Sequence, residues 1–177
     1  VKIIMKYVGE DPTREGLLKT PQRVRKSYEF MYGGYKEDPN DVLNSALFTS
    51  SNDEMVLIKD IELYSTCEHH LLPIVGKAHV AYISNGTVVG LSKMNRIVDY
   101  FAKRPQVQER LTIQIVKELQ NVLNTQDVAC VIDAKHLCVN SRGIKDIQSS
   151  TVTAEFGGQF ANAEVKKEFL SYLRMKL

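Results

Sequence analysis

The sequence predicts an α+β fold: an antiparallel four-stranded sheet with a helix pair on one face, plus N-terminal helices and a C-terminal helix. Three observations carry this expectation. Met55–Ser65 and Val75–Ser84 are rich in Val, Ile and Leu and read as one strand pair; Asp127–Ala134 and Ile147–Phe156 read as another. Between the pairs lie two segments with helical periodicity, separated at Pro105. Hydrophobic residues make up 44% of the 177 and charged residues 25%, a globular balance in a chain long enough to bury a core without disulfides.

The elements follow in order. Asp11-Pro12 sets a capping residue before a proline suited to a first helical position, and Thr20-Pro21 repeats the device. Val24, Tyr28 and Met31 mark one face of the second helix, which Gly33-Gly34 ends. Residues 35–54 are polar and are expected as loop. Residues 1–54 thus read as an N-terminal helical region and 55–177 as the sheet-and-helix region, within one structural unit. Asn85-Gly86 signals a tight turn into Thr87–Leu91. Ser92 is placed to cap a helix whose Met94, Ile97, Val98 and Phe101 share a face. After Pro105, Val107, Leu111, Ile115, Leu119 and Val122 line a second. Asn162 is placed to cap a last helix carrying Val165, Phe169 and Leu173. Such a sheet has two open edges, which invite pairing with another chain, so an oligomer is expected.

Charge and cysteine content exclude several classes. Lys plus Arg number 23 against 21 Asp plus Glu, a net charge of +2, too balanced for a general nucleic-acid binder. No apolar run reaches the roughly 18 residues a membrane span needs. Three cysteines are too few and odd for a disulfide framework and point to a reducing, cytoplasmic compartment. The opening VKIIMKYVGEDP carries no signal-peptide pattern; lacking an initiator Met, it reads as a trimmed or processed form.

The most informative stretch is Ser65-Thr66-Cys67-Glu68-His69-His70. Cys67 and His70 have the C-x2-H spacing that lets two ligands reach one metal from a turn. His136-Leu137-Cys138 follows at the end of an expected strand, where residues two apart share a face. Thiolate and imidazole donors favour zinc. Cys67, His70 and Cys138 make three protein ligands, leaving a fourth position for water, as in catalytic sites. His69 and His136 then stand beside the metal as proton carriers. A closed structural site with one further histidine is the alternative the spacing leaves open. Cys130 and His79 read as structural, and Glu68 as a group that orients a histidine.

Ser92, Lys93 and Arg96 gather at a helix start, where free N–H groups and a positive dipole end favour phosphate. Arg23 and Lys26 repeat the arrangement, and Arg142 follows the second metal half-site. For any one pair, a solvated helix face is the plainer reading; together they suit a phosphate-rich substrate. Glu109 could accept two parallel hydrogen bonds from the N–H/NH2 edge of guanine, or simply be first-turn acidity.

At these residues the chain closely resembles the zinc-dependent GTP cyclohydrolase I family. The resemblance is carried by Ser65–Pro73, Gly90-Leu91-Ser92-Lys93, Arg96-Ile97-Val98, Arg104–Thr112, His136-Leu137-Cys138-Val139 and Arg142-Gly143-Ile144. It implies the tunnelling fold, or T-fold, and zinc held by Cys67, His70 and Cys138. It implies His69 and His136 as proton donors and acceptors, and Glu109, helped by Gln108, on the guanine. Ser92, Lys93, Arg96, Arg142, Arg23 and Lys26 would surround the ribose and triphosphate. It further implies hydrolysis of GTP at guanine C8 with release of formate, giving 7,8-dihydroneopterin triphosphate, the first step of folate and pterin biosynthesis. The expected assembly is a homodecamer of two stacked pentamers with active sites between subunits. Another zinc-binding T-fold enzyme of pterins or deazapurines, or a non-catalytic zinc-stabilised scaffold, is the alternative.

Overall fold

The computed structural model describes residues 1–39, 41, 46–51 and 53–175. Helices α1 (Lys2–Tyr7) and α2 (Thr20–Met31) open the chain, followed by a 3-10 turn at Gly33–Lys36. Strand β1 (Leu47–Thr49) precedes the long strands β2 (Met55–Cys67) and β3 (Pro73–Ile83), then β4 (Thr87–Val89). Helix α3 (Leu91–Ala102), the two-residue strand β5 (Pro105–Gln106) and helix α4 (Gln108–Leu123) form the middle. Strand β6 (Val128–His136), the one-turn helix α5 (Leu137–Asn140), strand β7 (Thr151–Phe156) and helix α6 (Ala163–Arg174) complete it.

The main sheet runs β5-β2-β3-β6-β7. Its four long strands are antiparallel, as the sequence implies; β5 adds a short parallel edge beside Thr66 and Cys67. Period-two alternation sorts each strand between two cores. On β6, Val128, Cys130 and Ile132 face α3 and α4, whereas Ala129 and Val131 face α6 with Phe160 and Phe169. The expected helix faces are the buried ones: Met94, Ile97, Val98 and Phe101 on α3, and Leu111, Ile115 and Leu119 on α4. β3 and β6 approach so closely at Gly76 that a Cβ there would collide with Asp133 O and Ala134 Cα.

Several local expectations differ. Asp11 does not start an α-helix. Its carboxylate accepts from Thr13 N and Oγ1 at 2.8 and 2.6 Å and closes a turn, and only a 3-10 turn at Glu15–Leu17 follows. No side chain caps α2, although Pro21 sits in its first turn as expected. Ser92 is not the cap of α3 either. Gly90 takes that position, its N–H bound to Ala46 O at 2.9 Å, and Ser92 lies exposed in the first turn. The Asn85-Gly86 turn forms, with Gly86 at φ +110, but β4 leaves β3 to pair with β1 in a separate ribbon. So part of the stretch expected as loop, 35–54, is strand and 3-10 turn; residues 40, 42–45 and 52 lie outside the described residues. β7 begins at Thr151 rather than Ile147, because the Asp146 carboxylate gathers Gln148 N and Ser149 N into a turn. Asn162 does cap α6, accepting from Glu164 N at 2.9 Å.

Phe169 is wholly buried, with its ring centroid 5.7 Å from Phe160 and 6.0 Å from Phe156. Phe169→Ala is expected to destabilise the fold by about 3 kcal/mol or more through lost burial and a cavity, read as a lowered denaturant midpoint.

Candidate metal centre and active site

The candidate metal ligands gather at one end of the sheet. The β2–β3 turn is closed by Cys67 N to Leu72 O and Leu71 N to Cys67 O, both 2.8 Å, with Leu71 at φ +53. Glu68 N donates to Gln106 O on β5 at 3.0 Å, pinning the turn from the side. Within it, Cys67 Sγ lies 3.9 Å from Nδ1 of both His69 and His70. β6 ends here too, with His136 opposite Ile74.

Cys138 reaches the same place by a route the strand rule does not give. β6 stops at His136, and Cys138 sits in α5. The turn of that helix, not a shared strand face, sends Cys138 toward Cys67 while His136 goes to Gln108. One ligand atom from each of Cys67, His70 and Cys138 lies within 4.8 Å of the others. Two thiols and one imidazole at this spacing fit a zinc-type ion. Burial, and then Cys67 alongside, push the Cys138 thiol up, while the charge of Arg142 pulls the other way.

The remaining candidates divide into those the structure brings to this end and those it does not. His69 is largely exposed, 4.0 Å from the Glu68 carboxylate. Glu68 is also paired with Arg110, whose Nε donates to Gln106 Oε1 at 3.1 Å. His136 Nε2 is 2.7 Å from Gln108 Oε1. Burial lowers the His136 pKa and the Glu109 charge opposes that shift, which puts Glu109 within electrostatic reach of the imidazole. Arg142 is exposed beside the cluster.

Ser92, Lys93 and Arg96 lie elsewhere. Val89 N bonds Tyr82 Oη at 3.3 Å, so α3 starts near the far end of β3. Its last turn returns to the metal end, where Ser65 Oγ donates to Ala102 O at 2.8 Å. The twelve residues of α3 span about 18 Å at the usual rise, which keeps Ser92 and Lys93 far from Cys67 in one chain. Arg23 and Lys26 are exposed on α2, and no described contact joins them to the cluster. Cys130 is buried in the core, its thiol pushed up by burial. His79 Nδ1 accepts from Asp60 N at 3.1 Å, a structural bond at a bulge in β2.

Sequence reasoning missed Thr112 and Thr153, which bind Gln108, and Arg110, which binds Glu68. Thr112 lies one helical turn from Gln108, but nothing local could reveal Thr153, since its contacts join a helix to a strand far along the chain. Arg110 had only its place beside Glu109 to mark it.

The sheet with its helix pair, and the Cys-His-Cys cluster with two further imidazoles at one end, define an α+β protein able to hold a metal beside proton carriers. Comparison with known proteins sharpens this. Residues 1–174 match the family model for GTP cyclohydrolase I, and the chain belongs to that family; its fold is the T-fold. The GTP cyclohydrolase 1 of Flavobacterium johnsoniae is 58% identical over 176 residues, 99% of this chain and 79% of the relative. That of Campylobacter curvus is 55% identical over 174 residues, 98% and 92% of the two chains. That of Chlorobium phaeovibrioides is 53% identical over 175 residues, 98% and 78%. Among solved structures, the archaeosine synthase QueF-Like in the apo form aligns over 60% of this chain and 94% of its own, at 17% identity and a TM-score of 0.49. No helix among the described residues is long and apolar enough to cross a membrane.

Thiols must lose their protons to bind the ion. Zinc titrated into the metal-free protein at neutral pH is therefore expected to release about two protons, seen with a pH indicator. Cys138→Ser is expected to lose most of its zinc by elemental analysis, and His136→Ala to keep it.

Proposed function

We propose that this chain catalyses the reaction of its family: hydrolysis of GTP at guanine C8, loss of that carbon as formate, and rearrangement to 7,8-dihydroneopterin triphosphate, the first step of pterin and folate biosynthesis. The observation that carries this reading is the placement of two non-ligand imidazoles, His69 and His136, beside the three-ligand cluster.

Cys67, His70 and Cys138 would hold zinc. When bound, zinc supplies a Lewis acid that makes water nucleophilic near neutral pH. Glu109 would hold guanine by its N–H/NH2 edge, with C8 turned to the cluster. One water adds at C8 and the imidazole ring opens to a formamide, with His136 or His69 delivering a proton to the departing nitrogen. A second water cleaves the formamide to formate and an amine. The ribose then rearranges and condenses with that amine, and one water is lost. Arg142, exposed near Cys138, would meet an anionic substrate at the metal end. Positioning by such contacts can lower the barrier by several kcal/mol.

The far placement of Ser92, Lys93 and Arg96 supports a site shared between chains. Their basic end would meet the metal end of a neighbour, joined through open edges such as β7, whose Val152 is exposed. Arg23 and Lys26 would complete the phosphate subsite in the same assembly, with two stacked pentamers as the proposed form. A cytoplasmic location suits both the free thiols and a nucleotide substrate.

Zinc-loaded protein given GTP is expected to yield formate and, after oxidation, a fluorescent pterin; a zinc-loaded oligomer yielding neither would overturn the reading. Shared sites have a separate signature. Cys138→Ser and Lys93→Ala proteins, each weakly active alone, are expected to regain activity when dissociated and reassembled together. Sites contained within one chain would show no gain.

A further inference from the structure

The His136 partner is itself held by an unusual set of groups. Gln108, the first residue of α4, is 1% exposed, yet its side chain is polar. The two hydrogens of its Nε2 are shared among three acceptors, Ile132 O at 3.1 Å, Thr151 O at 2.8 Å and Thr153 Oγ1 at 3.1 Å. Two of these acceptors are backbone carbonyls, which can only accept. The amide therefore cannot be turned over, because Oε1 would then face two carbonyl oxygens. Oε1 is fixed on the His136 side, 2.7 Å from Nε2. An amide oxygen only accepts, so His136 Nε2 must carry the hydrogen, and in the neutral ring the lone pair is on Nδ1.

The two hydroxyls complete this logic. Thr112 Oγ1 donates its one hydrogen to Gln108 O at 2.8 Å. Across the 2.7 Å contact between Thr112 Oγ1 and Thr153 Oγ1, the hydrogen must then come from Thr153. Thr153 is left only to accept from Gln108 Nε2. Every hydrogen then has one direction: Thr153 Oγ1 to Thr112 Oγ1, Thr112 Oγ1 to Gln108 O, Gln108 Nε2 to its acceptors, and His136 Nε2 to Gln108 Oε1. Thr112 is as buried as Gln108, so an unpaired hydroxyl there would be costly.

We infer that Thr153, Thr112 and Gln108 are positioning residues that lock His136 as the Nε2–H tautomer and present Nδ1 as its working nitrogen. The Gln108 NH2 is then committed to acceptors within the fold, so the help with guanine that the resemblance implies for Gln108 does not come from its amide hydrogens. That Nδ1 takes a proton from the attacking water and passes it to the departing nitrogen rests on the proposed function; the tautomer does not.

The test separates the two. The chain has four histidines, so 15N-histidine labelling of the zinc-loaded protein gives few imidazole signals, and His136→Ala assigns the one that vanishes. That signal is expected as an Nε2–H imidazole with a slowly exchanging proton. Thr153→Val keeps shape but removes the hydroxyl. It is expected to speed exchange of that proton and lower kcat about tenfold, with KM for GTP and zinc content unchanged. Thr153→Ser is expected to restore both. An Nδ1–H tautomer in the unmodified protein would overturn the inference. So would Thr153→Val with normal exchange and kcat, a rise in KM alone, or a Ser variant as impaired as Val. An unmodified, zinc-loaded protein that makes no pterin would overturn the proposed function instead, while the imidazole signal still decides the tautomer.

Discussion

The ladders that join β2 to β3 and β3 to β6 carry the rest of the molecule, because their register decides which residues meet at the sheet's end. Thr66 pairs with Pro73, and Ile74 pairs with His136. Those pairings bring Cys67, His70 and the β6–α5 corner to one place from distant parts of the sequence. Side chains alternate along a strand, so a slip of one residue would turn each functional group to the opposite face. Gly76 guards this register: the close approach of β3 and β6 leaves no room for a Cβ. The apolar pattern of β6, with one set of residues to α3 and α4 and the other to α6, enforces the same alignment energetically. The metal cluster thus inherits its geometry from packing well away from it.

The same ladders create a separation that one chain cannot close. β2 and β3 are long, and α3 lies along them with its start at one end and its finish at the other. A metal end and a basic end result. A triphosphate nucleotide needs both, if the purine is to meet the imidazoles while its phosphates meet cations. Joining sheets edge to edge satisfies open backbone groups and at the same stroke can bring unlike ends together. Assembly and chemistry would then answer to one constraint, the length of the strands.

What was legible in the sequence follows from how local each signal is. The faces of α3 and α4 were readable because helical periodicity is written within a dozen residues. Asn162 was readable because a cap acts two residues away. The residues of the Cys-His-Cys cluster were readable by type and spacing, but the reason Cys138 joins it was not: α5 interrupts the strand the spacing suggests. Ser92 failed as a cap because Gly90 is held by Ala46 from a distant segment. The pairing of β4 with β1 instead of β3 was hidden for the same reason: β1 is three residues in a polar stretch. Of the proposed sharing of sites between chains, the sequence carried only the open sheet edges, not which ends would meet.

Gln108 shows where pattern reading stops and hydrogen-bond accounting begins. In the sequence it is one polar residue in a helix start, equally suited to solvent or ligand. In the fold it is buried, and a buried amide left unpaired costs on the order of 1–3 kcal/mol. Each of its polar atoms must therefore find a partner, and the partners it finds are two carbonyls, a hydroxyl and an imidazole. The carbonyls belong to β6 and β7, so the ladder that sets the register also fixes which way the amide faces. The His136 imidazole is thereby oriented by sheet backbone through one side chain. The polar group is tolerated in the core because its bonds are complete, and completeness is what gives the imidazole a single orientation.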